Sequence, residues 1–281
     1  MNLSSIREED LKEVFDALEE AFGVVNIDYY LIGAIARDVW YTQGGKAYRT
    51  SKDVDFAALV GSRSEYEAVR KFLIEKKGFK ESKQNAFVMI NPKEIQIDIL
   101  PFGGIEIDSQ VKLDAVGMSN IQVNGFQEVY VAGTATMNIK TGHAFKVATL
   151  PAIVLLKLIA FDDRPEKREK DPRDIANITE HFFELQMNHV YDEHNDLFKL
   201  EEKELESLQL EEVSATVIGR EIEKITRSNE KLYARVISIL QKHIEAAANS
   251  QFARLMATET GRPVTEMVNW LQRFKEGMVQ S

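Results

Sequence analysis

Three carboxylates stand where they could act together. In Lys52-Asp53-Val54-Asp55-Phe56-Ala57-Ala58-Leu59-Val60 the two acids are two residues apart in a run of strand character. They therefore project from one face, while Val54 and Phe56 take the other. Carboxylates side by side repel each other unless a cation or strong donors lie between them, and hard divalent ions prefer oxygen ligands of this type. A third acid, Asp98, interrupts the β-branched run Ile95-Gln96-Ile97-Asp98-Ile99-Leu100-Pro101-Phe102. If that strand lies beside the first, three carboxylates converge, enough for a two-metal phosphoryl or nucleotidyl transfer site.

The stretch before these acids reads as strand, glycine turn and helix. Tyr29 to Ile32 is apolar, Gly33-Ala34 turns, and Ile35 to Tyr41 begins a helix at once. The backbone N–H groups of such a helix start face the turn and suit a phosphate. A polar loop holding Gly44 and Gly45 leads on to Asp53.

A Gly-Ala turn, Asp-x-Asp on the next strand and hydrophobic-Asp-hydrophobic on a later one resemble the DNA polymerase beta type nucleotidyltransferase superfamily. Gly33-Ala34-Ile35-Ala36-Arg37-Asp38 is similar to the GGxxRD opening of the tRNA nucleotidyltransferases. The longer gap to Asp53, the lysine motif described next and Ile97-Asp98-Ile99-Leu100-Pro101-Phe102-Gly103-Gly104-Ile105-Glu106 look more like the AbiEii/AbiGii-like abortive-infection toxin branch. The resemblance covers roughly the first two-thirds of the chain.

The downstream motif is Leu150 to Phe161, a helix apolar almost all round with Pro151 in its first turn and Lys157 as its one charge. A lysine there is costly unless it reaches an anion or snorkels to water. Relatives of the AbiEii type have such a lysine followed by basic residues and an acidic pair, and Lys157, Arg164, Lys170-Asp171 and Asp174 stand in those places. Asp171 and Asp174 share a helical face at the start of a helix over 175–185, where either could instead cap it. The basic residues Arg164, Lys167, Arg168, Lys170 and Arg173 form a patch that could steer a triphosphate or RNA.

The resemblance implies an α+β fold, a mixed nucleotidyltransferase-type sheet with flanking helices followed by a helical C-terminal region. It implies metal-dependent transfer of a nucleoside monophosphate from an NTP to an acceptor hydroxyl, on an RNA 3′ end, a small molecule or a protein. Asp53, Asp55 and Asp98 would be the catalytic and metal residues, with Mg²⁺ or Mn²⁺, and Gly33, Ala34, Arg37 and Lys157 would bind the nucleotide. Lys52, Asp171 and Asp174 are further candidates, and a cognate antitoxin protein is an expected partner. Ala34 departs from relatives that have Gly or Ser, removing a hydroxyl but leaving the amides. The alternative is a catalytically silent nucleotide-binding or interaction protein on the same fold.

Composition bounds these readings. The 281 residues are 44% hydrophobic, ample for one large core or two modest ones, and the absence of cysteine excludes disulfides and thiolate metal sites. A net charge of −10, with both halves acidic, argues against general duplex binding. The start of the chain has no signal-peptide pattern and the longest apolar run is too short to span a bilayer, so a cytoplasmic protein with no membrane partner is expected. His181, His189 and His194 match no common zinc pattern and read as ordinary histidines.

The elements that must position the site follow from periodicity. A helix is expected over Ser5 to Phe22 with a Ser5/Glu8 capping box, a strand over Ile27 to Ile32, and a helix over Ser64 to Lys77 closed by Gly78. Phe87 to Ile90 and Glu94 to Leu100 form a hairpin across Asn91-Pro92-Lys93, and Ile121 to Val123 and Glu128 to Val131 read as strands extending the sheet. A polar linker over 186–199 suggests a nucleotidyltransferase domain over 1–187 and a helical domain over 188–281.

Overall fold

The computed structural model describes residues 8–46, 53–113, 117–199 and 208–280. The chain forms two compact units, residues 1–130 with 134–149, and residues 131–133 with 150–281. The boundary expected at 187/188 falls inside the second unit, in the first turn of a helix over Met187–Glu193. Ser5, and with it the capping box, lies outside the described residues.

The first unit is built on a seven-stranded mixed sheet. Its strands are β1 (Asp28–Ile32), β2 (Asp53–Val60), β3 (Lys80–Glu81), β4 (Val88–Ile90), β5 (Gln96–Gly103), β8 (Thr134–Asn138) and β9 (Ala144–Ala148), in the order β3-β4-β5-β2-β1-β9-β8. The β2–β5 and β1–β9 pairs are parallel and the others antiparallel. Helix α1 (Glu8–Val25) buries Val14, Phe15, Leu18, Ala21 and Phe22 at helical spacing. Phe15 meets Phe56 of β2 edge-on at 5.9 Å and Phe145 of β9 at 4.9 Å, so this aromatic cluster covers the face of Val54 and Phe56. Side chains alternate along a strand, so fixing Phe56 inside that cluster commits Asp55 to the opposite face.

Local chemistry explains the connections. Helix α2 (Gly33–Gln43) follows β1 without an intervening loop. Helix α3 (Arg63–Lys77) is capped at its start by Ser62, whose hydroxyl accepts from the Glu65 amide, and closed by Gly78 at φ 70°. Tyr66 of α3 donates its hydroxyl hydrogen to the Ile99 carbonyl at 2.8 Å, tying the helix to β5. The β4–β5 hairpin turns where expected, with Asn91 Oδ1 accepting from the Lys93 and Ile95 amides at 2.9 and 2.8 Å.

Two strand expectations are corrected. Residues 128–131 belong to helix α4 (Phe126–Ala132), because Phe126, Val129 and Tyr130 are spaced for one helical face and the helix opens straight after Gly125 at φ 86°. The Ile121 region does form a strand, β7 (Asn120–Gln122), but it pairs with β6 (Gln110–Lys112) in a separate ribbon. The extension of the main sheet comes from the β8–β9 hairpin instead.

The second unit is helical: α5 (Leu150–Asp163), α6 (Lys170–Leu185), α7 (Met187–Glu193), α8 (Leu210–Thr226), α9 (Glu230–Glu245), α10 (Gln251–Thr260) and α11 (Val264–Val279). Helix α5 is buried on nearly every side, as its unbroken apolar run requires. Helices α8 and α11 pack backbone to backbone: a Cβ at Gly219 would lie 2.1 Å from the Phe274 carbonyl oxygen, and one at Gly277 2.1 Å from that of Thr216. The 186–199 segment is no plain linker, since it holds α7 and a 3₁₀ turn over Asn195–Phe198. Gly261, at φ 70°, ends α10 ahead of Pro263 and α11.

Candidate active site

The parallel register places Asp55 of β2 directly beside Asp98 of β5. Paired positions on neighbouring strands point the same way, with strands about 4.8 Å apart, so the two carboxylates leave one face as adjacent groups. Asp53 opens β2 opposite Gln96, and the two-residue period puts its position on the same face. Lys52 lies outside the described residues. On this face Tyr30, Phe102 and Tyr130 form a second aromatic cluster, with Tyr30 and Phe102 ring centroids 5.8 Å apart and Tyr30 donating to the Phe126 carbonyl at 2.9 Å. Apolar packing thus occupies the far part of the face and the acids its other end.

The glycine turn meets the acids directly. Ile32 pairs with Asp55 across the β1–β2 ladder, and Gly33 follows at φ 68° as the first residue of α2. A Cβ built at Gly33 would stand 2.2 Å from Asp55 Oδ2. Only glycine tolerates both that backbone angle and a carboxylate at that range. The N-cap residue Ile32 offers no side-chain acceptor, and the amides that open α2 stand beside the carboxylate pair, with Ala34 next in line.

Arg37 of α2 is a buried cation. It is 1% exposed, its Nε and Nη2 donate to Asp38 Oδ1 at 3.1 and 2.7 Å, and its guanidinium lies 5.9 Å from the Tyr41 ring. Trp40 donates to the Ala148 carbonyl at 2.8 Å, fixing the same helix to the end of β9. The Arg37 guanidinium is thus held beside its own helix by the neighbouring Asp38.

In the helical unit Lys157, Asp171 and Asp174 form one cluster. Lys157 Nζ donates to Asp171 Oδ1 and Asp174 Oδ2, both at 2.8 Å, with the lysine side chain 14% exposed and both acids 7%. Burial works against the lysine's charge, but the two carboxylates outweigh it and hold its pKa above the usual value. The lysine thus meets two anions in place of snorkelling. Helix α6 begins at Lys170, earlier than expected, so both acids sit inside it three residues apart on the face toward α5. Asp171 Oδ2 is buried with no hydrogen-bond partner among the described residues, an acceptor left for a further donor or cation.

No curated protein matches the chain. Among solved structures, the solution structure of the antibiotic-resistance factor ANT(2'')-Ia is similar at 13% identity and a TM-score of 0.41, covering 84% of this chain and 100% of that one. That likeness is too loose to inform the chemistry. Residues 11–249, which take in both the acids of β2 and β5 and the Lys157 cluster, match the family described as nucleotidyl transferase AbiEii toxin of type IV toxin–antitoxin systems, and to that family the chain belongs.

Proposed function

We propose that this nucleotidyltransferase joins a nucleoside monophosphate from an NTP to an acceptor hydroxyl at the end of the sheet where Asp53, Asp55 and Asp98 stand. The observation that carries the reading is the direct pairing of Asp55 with Asp98 at the foot of α2. The donor set is oxygen only, and Gly33 lets the Asp55 carboxylate lie against the start of α2; such oxygen donors fit a hard ion such as Mg²⁺ or Mn²⁺. Held by Asp53, Asp55 and Asp98, such ions would neutralise charge on the attacking and leaving oxygens.

The chain's own groups supply the rest. The Gly33 and Ala34 amides bind triphosphate oxygens, with no hydroxyl from Ala34 to help. Arg37, held by Asp38, keeps α2 in register with the acids. Asp98 receives the proton as the acceptor oxygen attacks the α-phosphorus, and the bond to the β-phosphate breaks to release pyrophosphate. By resemblance to the family Lys157 would contact nucleotide phosphates, and Asp171 and Asp174, which hold its amine, are further candidates. The family description makes a cognate antitoxin the expected protein partner, and the acceptor hydroxyl is that of an RNA 3′ end, a small molecule or a protein. No helix among the described residues is long and apolar enough to cross a membrane, and with an NTP as substrate we place the protein in the cytoplasm.

The test is incubation with each labelled NTP, Mg²⁺, and RNA, small hydroxylated compounds or protein extract in turn. Asp55→Asn and Asp98→Asn are expected to lower transfer at least about a hundredfold with melting temperatures retained. Undiminished transfer by Asp98→Asn would overturn the assignment.

A further inference from the structure

A second constellation lies in the helical unit, made of residues that the proposed transfer does not use. His189 of α7, His194 at the break between α7 and the 3₁₀ turn, and Glu221 of α8 bring three ligand atoms together. His194 Nε2 is 3.1 Å and His189 Nε2 3.4 Å from Glu221 Oε1, and all three atoms lie within 4.8 Å of one another. We propose that His189, His194 and Glu221 form a binding site for a divalent transition ion of the zinc class.

The distances suit the ion. Zinc binds imidazole nitrogen at about 2.0–2.1 Å and carboxylate oxygen at about 2.0–2.2 Å. Tetrahedral angles then separate neighbouring ligand atoms by about 3.3–3.5 Å, close to the two His–Glu separations here. Only the two histidines must close further, and His189, 36% exposed, has room to turn. Two imidazoles and one carboxylate form a borderline donor set, unlike the all-oxygen set of the β2 and β5 acids, so the two sites favour different ions.

The arrangement without an ion is crowded. Lys224 Nζ also donates to Glu221 Oε1, at 2.7 Å, so three groups converge on one oxygen that has two lone pairs. A cation at the point of convergence replaces the two imidazole donors with two imidazole lone pairs. Lys224 is 43% exposed on a flexible stem and can turn to water. Arg220 approaches His194 Nδ1 at 3.4 Å, and metal on Nε2 would put a proton on that nitrogen. The guanidinium already has another seat, donating to both Asp196 oxygens at 2.8 and 2.7 Å, which also offsets its charge.

Four residues separate His189 and His194, a spacing that completes no zinc pattern without further ligands, so sequence alone leaves them as ordinary histidines. The missing ligand is Glu221, brought in by the packing of α8 and invisible to local spacing. Three protein ligands leave a coordination place open to solvent on the His189 side, so the ion would be exchangeable. It would also clip α7 to α8, so binding should add to the stability of the helical unit.

The test uses metal-stripped protein and Zn²⁺ alone, with Co²⁺ as the spectroscopic probe. One equivalent of Zn²⁺ is expected to bind and raise the melting temperature, Co²⁺ should give the visible bands of a four-coordinate nitrogen–oxygen site, and excess Mg²⁺ should not displace either. His189→Ala, the more exposed change, and His194→Gln should each weaken binding more than tenfold and abolish the cobalt bands, while the Asp55→Asn, Asp98→Asn double variant keeps them. Equal Zn²⁺ uptake and unchanged bands in both histidine variants would overturn the site, as would bands lost only with the aspartate pair.

Discussion

At the scale of single residues, Gly33 and Lys157 are the positions where sequence and geometry interact most sharply. Gly33 was legible as a turn, but its contact with Asp55 depends on the β1–β2 register and could not be read locally. Gly33→Ala combines a φ of 68° with a Cβ 2.2 Å from Asp55 Oδ2. The backbone term alone costs about 1–2 kcal/mol, and relief of the clash turns the carboxylate away from Asp98. Transfer should therefore fall far more than the melting temperature, measured side by side. Lys157 was legible as a buried charge, with its anions left open. Since both partners are buried acids, Lys157→Met should destabilise by about 3–5 kcal/mol, the cost of leaving buried charge unpaired. Adding Asp171→Asn and Asp174→Asn should return most of that stability in urea unfolding without restoring transfer. A stable single variant would mean that the ion pair is weak.

At the scale of elements, periodicity found most of what carries the site. Strands β1, β2 and β5 stand where the sequence puts them because a buried face dictated each pattern, while the turn follows Asn91-Pro92 and α5 its unbroken apolar run. Failures came where a short apolar run fits either period, as at α4, or where a charged segment begins a helix, as at Lys170. Helix pairing was not legible either, since it depends on small residues meeting across a crossing. Gly219 and Gly23 make the contrast measurable. Both are helical, yet a Cβ at Gly219 meets a carbonyl oxygen at 2.1 Å whereas one at Gly23 meets nothing within 4 Å. Gly219→Ala should destabilise by about 1–3 kcal/mol through overpacking, and Gly23→Ala should stabilise by about 0.5–1 kcal/mol through helix propensity. Chemical denaturation of the two variants against the parent checks both signs.

At the scale of the whole molecule, the charge balance bears on polyanion binding and buried His243 on the response to acid. A net charge of −10 disfavours a long polyanion, so an RNA acceptor would be held by few phosphates and its binding would vary little with salt. Acid also acts through His243, 6% exposed, stacked on Phe252 at 4.8 Å and paired through Nδ1 with Ser250 Oγ at 3.2 Å. Its Nε2 is buried without a hydrogen-bond partner among the described residues. Burial first, then Lys242, push its pKa down to about 4, and Asp162 offsets this only in part. A histidine with a depressed folded pKa binds fewer protons when folded than when unfolded, so stability rises with pH across the window between the two values. The loss therefore starts near the unfolded value of about 6.5 and is complete below the folded one. Its full size is on the order of 2 kcal/mol once solvent screening is allowed for. His243→Phe keeps the stacking on Phe252 and removes the titration, so its unfolding free energy should fall less than the parent's between neutral pH and the folded pKa. The check is urea unfolding of both proteins at matched pH values across that window. Parallel curves would show that His243 protonates in the folded state without penalty and that acid weakens the helical unit through other groups.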